Sequence, residues 1–233
     1  MGRGMEDFRR YAIYYAPRPG VMAEATAAWL GWDLALGRRV PPPALAGLPA
    51  PLDDLTAAAR PYGFHGTIKA PFRLATGQSA RALNLAAARL AEGLAPVTLP
   101  RLRLAEPGGF LALIPEGDET ALLALGAEVV SRLDAFRAPL TAAEIARRNP
   151  ERLNPRQRDL LDTWGYPHVM EAFRFHLTLT GDLAPDMRAQ VAQVLWDWLV
   201  PILPEPFVIE DICLVGEDAA GRFHLLSRHA LTG

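Results

Sequence analysis

Two segments 111 positions apart nearly repeat each other: residues 64–69 read FHGTIK and residues 175–180 read FHLTLT. Each holds Phe, His, one variable residue and Thr, followed by an aliphatic side chain. Five histidines and eleven threonines in 233 residues predict about a quarter of one His-x-Thr by chance. The stretch after each motif repeats as well. After His65 the pattern predicts a helix over 79–93, a strand over 97–104, a turn at 106–109 and a strand over 110–115. After His176 it predicts a helix over 185–200, a strand over 207–215, a turn at 217–221 and a strand over 222–228. His65 to Phe110 is 45 residues and His176 to Phe223 is 47. The chain therefore reads as two copies of one unit, a motif strand, a helix and a hairpin. Two copies of this length suit a duplicated lobe rather than a solenoid of many shorter units.

The remaining segments fit around these units. Residues 9–16 read as a first strand, and 21–36 as a helix with Gly37 as its stop. The stretch 40–52, with prolines at 41, 42, 43, 49 and 51, cannot form continuous helix or central strand. A short helix is expected near 53–59, and a longer one over 118–136. Residues 137–172 have no counterpart after the second motif and read as a helical insertion. In it Thr141 and Glu144 form a capping box, and Asn154-Pro155 opens another helix. This insertion carries Arg137, Arg147, Arg148, Arg152, Arg156, Arg158 and His168, with Trp164 and Tyr166. Two readings stay open for it: a lid over an anionic ligand, or a solvated helical hairpin anchored by its aromatics.

Half the residues are hydrophobic and 21% are charged, the mixture of a globular chain. The net charge of −2 lacks the basic excess with which proteins hold long nucleic acid. Cys213 is the sole cysteine. Set in the apolar stretch FVIEDICLV, it reads as a buried, inert thiol. No secretory leader or 18-residue apolar run is visible. Met1-Gly2 lacks the Ser or Thr at position 6 that acylation calls for, since Glu6 stands there. A reduced, cytoplasmic chain with no membrane partner is expected.

On a strand, alternate side chains share a face, so His65 points with Thr67 and His176 with Thr178. Two imidazoles, each beside a hydroxyl, suit proton transfer to and from oxygens around a phosphate. Near neutrality an unperturbed imidazole is available in both forms, and the threonines can donate to phosphoryl oxygens. By the same rule Lys69 and Arg174 would bring positive charge to the motif face, or else sit at strand ends in solvent. A metal site fits poorly, because there is no HExxH, no i, i+4 histidine pair and no cysteine cluster. A G-x-S-x-G elbow and a P-loop are also missing.

The paired motifs resemble those of the 2H phosphoesterase superfamily, which includes cyclic phosphodiesterases and RNA 2′,3′-cyclic-phosphate ligase-like enzymes. The segments RRYAIYYAP, RPYGFHGTIKAPFRL, GGFLALIP, FRAPLT, LDTWGYPHV and FRFHLTLTG are similar to DUF1045, a bacterial family labelled with phosphonate metabolism. The resemblance implies an α+β, bilobal, pseudo-symmetric fold with two antiparallel sheets flanked by helices around a central cleft. Residues 1–233 would form a single domain of two pseudo-repeat lobes, with motif strands near 63–70 and 173–180. It implies acid/base catalysis by His65 and His176 without cofactor or metal, with Thr67 and Thr178 holding phosphate. Lys69, Arg174 and Tyr166 are the candidate substrate-binding residues. The implied substrate is a small anionic phosphate ester, a ribosyl 1,2-cyclic phosphate by family context. RNA-end processing and non-catalytic phosphate binding are the alternatives. The sequence specifies no oligomeric state.

Overall fold

The computed structural model describes residues 4–233; the Met1-Gly2 dipeptide lies outside them. The first strand, β1 (Arg10–Tyr15), is buried on both sides. Tyr11, Ile13 and Tyr15 enter the main core, while Ala12 and Tyr14 join a smaller cluster with Leu34, Cys213 and Phe223 on the other face. Helix α1 (Val21–Leu30) stops well before Gly37, because Gly31 adopts a left-handed φ of 71° and turns its N–H back onto Ala27 and Ala28. The residues expected to continue the helix form a small hairpin, β2 (Trp32–Asp33) with β3 (Arg38–Arg39). The Asp33 carboxylate accepts from the amides of Ala35 and Leu36, and Trp32 Nε1 donates to the Phe223 carbonyl.

After the proline-rich stretch comes a short helix, α2 (Leu52–Leu55), then the first motif strand, β4 (Gly66–Phe72). Helix α3 (Ala80–Glu92) starts on a Ser79 cap, and the Glu6 carboxylate accepts two more of its first amides. The strand expected over 97–104 divides at Pro100 into β5 (Val97–Leu99) and β6 (Arg101–Ala105). Then follow β7 (Ala112–Glu116) and α4 (Thr120–Arg132). The insertion is helical: α5 (Ala142–Ala146) and α6 (Pro155–Trp164) each open on a full capping box. The second motif strand, β8 (Leu177–Thr178), is only two residues long. It leads to α7 (Pro185–Trp198), β9 (Phe207–Ile209), β10 (Asp211–Glu217) and β11 (Phe223–Ala230). The 207–215 strand, like its counterpart, is divided, and β5 pairs with β9 in a two-stranded sheet of their own.

The main sheet is antiparallel, in the order β11-β10-β1-β4-β8-β7-β6. The expected α+β fold with antiparallel sheets and flanking helices is therefore present. Its two halves meet at one rung, Gly66 opposite Leu177. The hairpin β6–β7, which follows the first motif in sequence, builds onto the second motif strand. The hairpin β10–β11, which follows the second motif, lies on the β4 side with β1 between. The sequence units are thus exchanged in space. Helix α3 covers β10 and β11, and α7 covers β6. Ile68, Phe175 and Leu177 meet helical side chains such as Leu83, Val129 and Leu195 in the main core.

The joining rung needs a glycine. A Cβ on Gly66 would lie 2.2 Å from Phe175 Cζ, the aromatic of the second motif. Overfilling a packed site of this kind costs about 1–3 kcal/mol. Gly66→Ala should lower urea-unfolding stability by about that amount, and the cost should shrink in a Phe175→Ala background. An equal cost in both backgrounds would show that the contact does not limit residue 66.

Candidate active site

Antiparallel pairing of Gly66 with Leu177 sets Thr67 beside His176 and His65 beside Thr178. Side chains opposite one another on neighbouring strands have Cβ atoms about 5 Å apart. Because Gly66, Phe175 and Leu177 face the core, the four His and Thr side chains take the other face. Each histidine is anchored in the same way. His65 Nδ1 lies 2.9 Å from the Gly63 carbonyl and His176 Nδ1 lies 2.9 Å from the Arg174 carbonyl. A carbonyl only accepts, so each Nδ1–H donates to the residue two positions upstream. In the neutral rings Nε2 is then the unprotonated nitrogen. His65 Nε2 accepts from the Thr67 hydroxyl at 3.0 Å.

A cavity of about 390 Å³ opens over this face, walled by His65, Thr67 and Thr178 of the motifs. At one end stand Phe110, Thr180 and Asp182. The Phe110 ring lies 5.9 Å from that of His176, and Thr180 is fixed by accepting the Leu111 amide at 2.9 Å. At the other end stand Arg10, Tyr14, Tyr62, Arg148 and Tyr166. The Tyr14 ring stacks on His65 with centroids 3.9 Å apart. Burial pushes the His65 imidazole down to about 4, with the nearby His176 adding to the effect and the Gly63 carbonyl opposing it. Burial likewise lowers His168 below the usual histidine range, helped by Arg148 and His176. Among the described residues no group of three His, Cys, Asp or Glu side chains is placed to hold a metal ion. No helix of the described residues is long and apolar enough to cross a membrane. Cys213 is buried, and burial pushes its thiol up to about 12.

Of the substrate-binding candidates, Tyr166 lines the cavity, with the Arg148 guanidinium 4.8 Å from its ring centre. Lys69 does not. Register against β1 pairs Thr67 with Tyr14 but Lys69 with Ile13, so Ile68 is an extra residue, a β-bulge. The bulge cancels the two-residue alternation and sends Lys69 to the opposite face from Thr67. There Lys69 is 3% exposed, and its Nζ donates to Asp134 Oδ1 at 3.0 Å and to the Val130 carbonyl at 3.1 Å. Arg174 is exposed, and its guanidinium donates back to the carbonyls of Glu171 and Phe173; what it offers the site is the carbonyl that orients His176. Of the other arginines in the insertion, Arg137 is bound to Asp134 and Arg156 to Glu171, whereas Arg148 reaches the cavity. Arg10, Tyr14, Tyr62 and Asp182 carried no motif in the sequence. The hints were the same-face position of Arg10 and Tyr14 on β1 and the place of Arg10, Tyr14 and Tyr62 in segments that carry the family resemblance; neither assigns them to a site until the neighbouring strand is in place.

The DUF1045 family, described as a protein of unknown function, matches residues 67–224. Two curated proteins named ribose 1,5-bisphosphate phosphokinase PhnN are similar. That of Janthinobacterium sp. (strain Marseille) is 39% identical over 76% of this chain, and that of Laribacter hongkongensis (strain HLHK9) is 38% identical over 75%. The matched region spans only 40% of the length of each of those proteins. Among solved structures, E. coli LigT complexed with 3′-AMP aligns over 97% of this chain and 99% of its own at 18% identity, with a TM-score of 0.46. TT0787 of Thermus thermophilus aligns over 96% and 98% at 17% identity, with a TM-score of 0.47.

Two measurements probe this geometry. In a histidine NMR titration His65 should stay neutral until about pH 4. Its folded value lies below the unfolded value of about 6.5, so the unfolded chain binds more protons between the two. This contribution to stability is complete above about pH 6.5 and lost as pH falls toward 4. An ordinary titration midpoint near 6.5 would remove the assignment. Lys69→Met should cost stability, about 1–3 kcal/mol for a lost bond between charged groups, without changing ligand affinity in calorimetry. A large affinity loss with unchanged stability would return Lys69 to the site. The match over most of its length, from Thr67 in the first motif to His224, makes this chain a member of the DUF1045 family.

Proposed function

We propose that the protein is a 2H-type phosphoesterase that opens a small cyclic phosphodiester by two-histidine acid/base catalysis. The observation that carries this is the matched anchoring of both imidazoles through Nδ1, which reserves each Nε2 for chemistry; His65 lines the cavity and His176 stands beside Phe110 of its wall. His65, kept neutral by its burial, is the base. Its Nε2 takes a proton from water as the water oxygen bonds to phosphorus. The bond from phosphorus to one ring oxygen breaks, and His176, protonated on both nitrogens, gives its Nε2 proton to that oxygen. The Arg174 carbonyl holds the imidazolium through Nδ1–H. A phosphate anion in the cavity raises the proton affinity of His65 during the step. Thr67, which donates to His65 in the structure, turns its hydroxyl to a phosphoryl oxygen, and Thr178 holds a second. No cofactor or metal enters this scheme. Residues 1–233 act in it as one domain, with 137–172 as an insertion whose Tyr166 and Arg148 border the substrate.

The names of the similar proteins support a substrate class. The similar proteins are named for a kinase of ribose 1,5-bisphosphate. Lys69 is the only lysine of this chain and follows Ile68, so no Gly-x-x-x-x-Gly-Lys phosphate loop occurs in it. In this reading the kinase named in those proteins lies in the 60% of their length that this chain does not match, the matched region being 40% of each. A ribosyl 1,2-cyclic phosphate opened at the 2-oxygen leaves a 1-phosphate, which matches the phosphate position in that name.

Turnover of ribosyl 1,2-cyclic phosphates and nucleoside 2′,3′-cyclic phosphates with EDTA present tests the proposal. Activity on the 1,2-cyclic substrates should survive chelation. His65→Ala or His176→Ala should lower kcat/KM by about 10² or more, the contribution of one positioned acid or base. Thr178→Val should cost about 10², mainly in kcat. Preference for nucleoside 2′,3′-cyclic phosphates would move the substrate to RNA ends. Activity that dies with EDTA, or that survives loss of either histidine, would end the two-histidine scheme.

A further inference from the structure

The His65 end of the cavity holds more recognition chemistry than opening one ring requires. Tyr14 is fully buried in the cavity wall, and its hydroxyl has no hydrogen-bond partner among the described residues. A buried, unsatisfied phenol costs free energy, and burial pushes it well above the usual tyrosine range, so it is a neutral donor. Tyr62, stacked on Phe223 at 5.1 Å, and Tyr166 present two more phenols to the same space.

Two guanidiniums stand with them. Glu217 engages Arg10 through Nε and, at 2.7 Å, through Nη2; Nη1 is bound by no described residue. Arg148 lies over the Tyr166 ring, and no carboxylate among the described residues pairs with it. A side chamber of about 210 Å³ continues from this end, sharing Arg10, Tyr62 and Arg148 and adding Arg73 and Arg147. The carboxylate in its wall, Glu144, is spent on Arg73 at 2.9 Å. Asp182, the acidic residue of the main cavity, stands at the far end beside Gly109. The local balance is positive in a chain whose net charge is −2. Guanidinium forks with phenol donors suit a phosphate dianion, which offers three terminal oxygens.

We propose that Arg148, Arg10 and the hydroxyls of Tyr14, Tyr62 and Tyr166 form a second anion subsite, which takes a phosphomonoester carried by the substrate apart from the ring that is opened. This rests on the cyclic phosphodiesterase reading, whose ring phosphate occupies the two motifs. The substrate class is then a sugar with two phosphoryl groups, one cyclic and one free. The position of the subsite beyond Tyr14 and Tyr62 fixes the direction of the sugar: its free phosphate lies on the His65 side and its cyclic phosphate over the motif threonines.

The test compares 5-phosphoribosyl 1,2-cyclic phosphate with ribose 1,2-cyclic phosphate, which lacks the second group. The wild-type protein should favour the former in kcat/KM by roughly 10²-fold or more, the effect of several charge-assisted bonds. That ratio should fall by roughly 30-fold in Arg148→Gln and by about 5-fold in Tyr14→Phe, through KM rather than kcat. Circular dichroism would confirm that both variants fold. Equal turnover of the two substrates by wild type, or a ratio unmoved by Arg148→Gln, overturns the subsite and leaves the phosphodiesterase reading intact. If neither substrate is turned over, that reading fails, and calorimetry with ribose 5-phosphate decides the subsite independently. Binding that weakens by roughly 10-fold or more in Arg148→Gln upholds it; no binding to wild type overturns it.

Discussion

One backbone rung, Gly66 against Leu177, holds the two halves of the main sheet together. Everything at the candidate site depends on it. The rung sits between His and Thr in both motifs, so it brings each histidine opposite the other motif's threonine. It also sets which face the four side chains share. Its closeness is possible because residue 66 has no side chain, and the space is filled instead by Phe175 from the second motif. The two motifs are therefore not merely similar. The glycine of one is the socket for the aromatic of the other, and the pseudo-symmetry is broken at the point where it must be. An identical pair would fail either way: leucine at both variable positions would drive the side chain of residue 66 into the Phe175 ring, and glycine at both would empty the core space that Leu177 fills.

Around this rung the local scaffolding is of two kinds. Backbone carbonyls two residues upstream fix both imidazoles, which is robust to substitution because no side chain supplies the acceptor. The surroundings of the two rings differ. His65 is stacked on Tyr14 and half-buried, whereas His176, also half-buried, packs beside Phe110 nearer the opposite end. A symmetric pair of motifs is given unequal surroundings by non-repeated residues. Tyr14 comes from β1, which has no counterpart in the second unit, and Arg148 and Tyr166 come from the insertion. The repeat supplies paired chemistry, and the unrepeated segments distinguish its two ends.

Much of this was legible from the chain. The His-x-Thr spacing, the helix and hairpin after each motif, the capping boxes at Thr141 and Asn154 and the inert Cys213 are local features. Each depends on a few neighbouring residues and on periodicities that hold wherever the segment ends up. The departures are equally instructive. Helix α1 ended early because Gly31 took the left-handed conformation and Trp32 found the Phe223 carbonyl. The same-face rule for Lys69 failed at a bulge, and a bulge is defined by register with a partner strand.

By itself the sequence determined the chemistry available: two imidazoles, two hydroxyls, and segments that must be strands, helices and turns. Periodicity and capping act within a few residues and need no partner. Only the tertiary structure decided which units came together. It paired the first hairpin with the second motif strand, exchanged the two sequence units in space, and turned Lys69 away into an ion pair with Asp134. It also gathered Arg10, Arg148 and three tyrosines from separate segments at one end of a cavity. Those outcomes rest on strand register and long-range packing, whose energies belong to pairs of segments and are written in neither one alone.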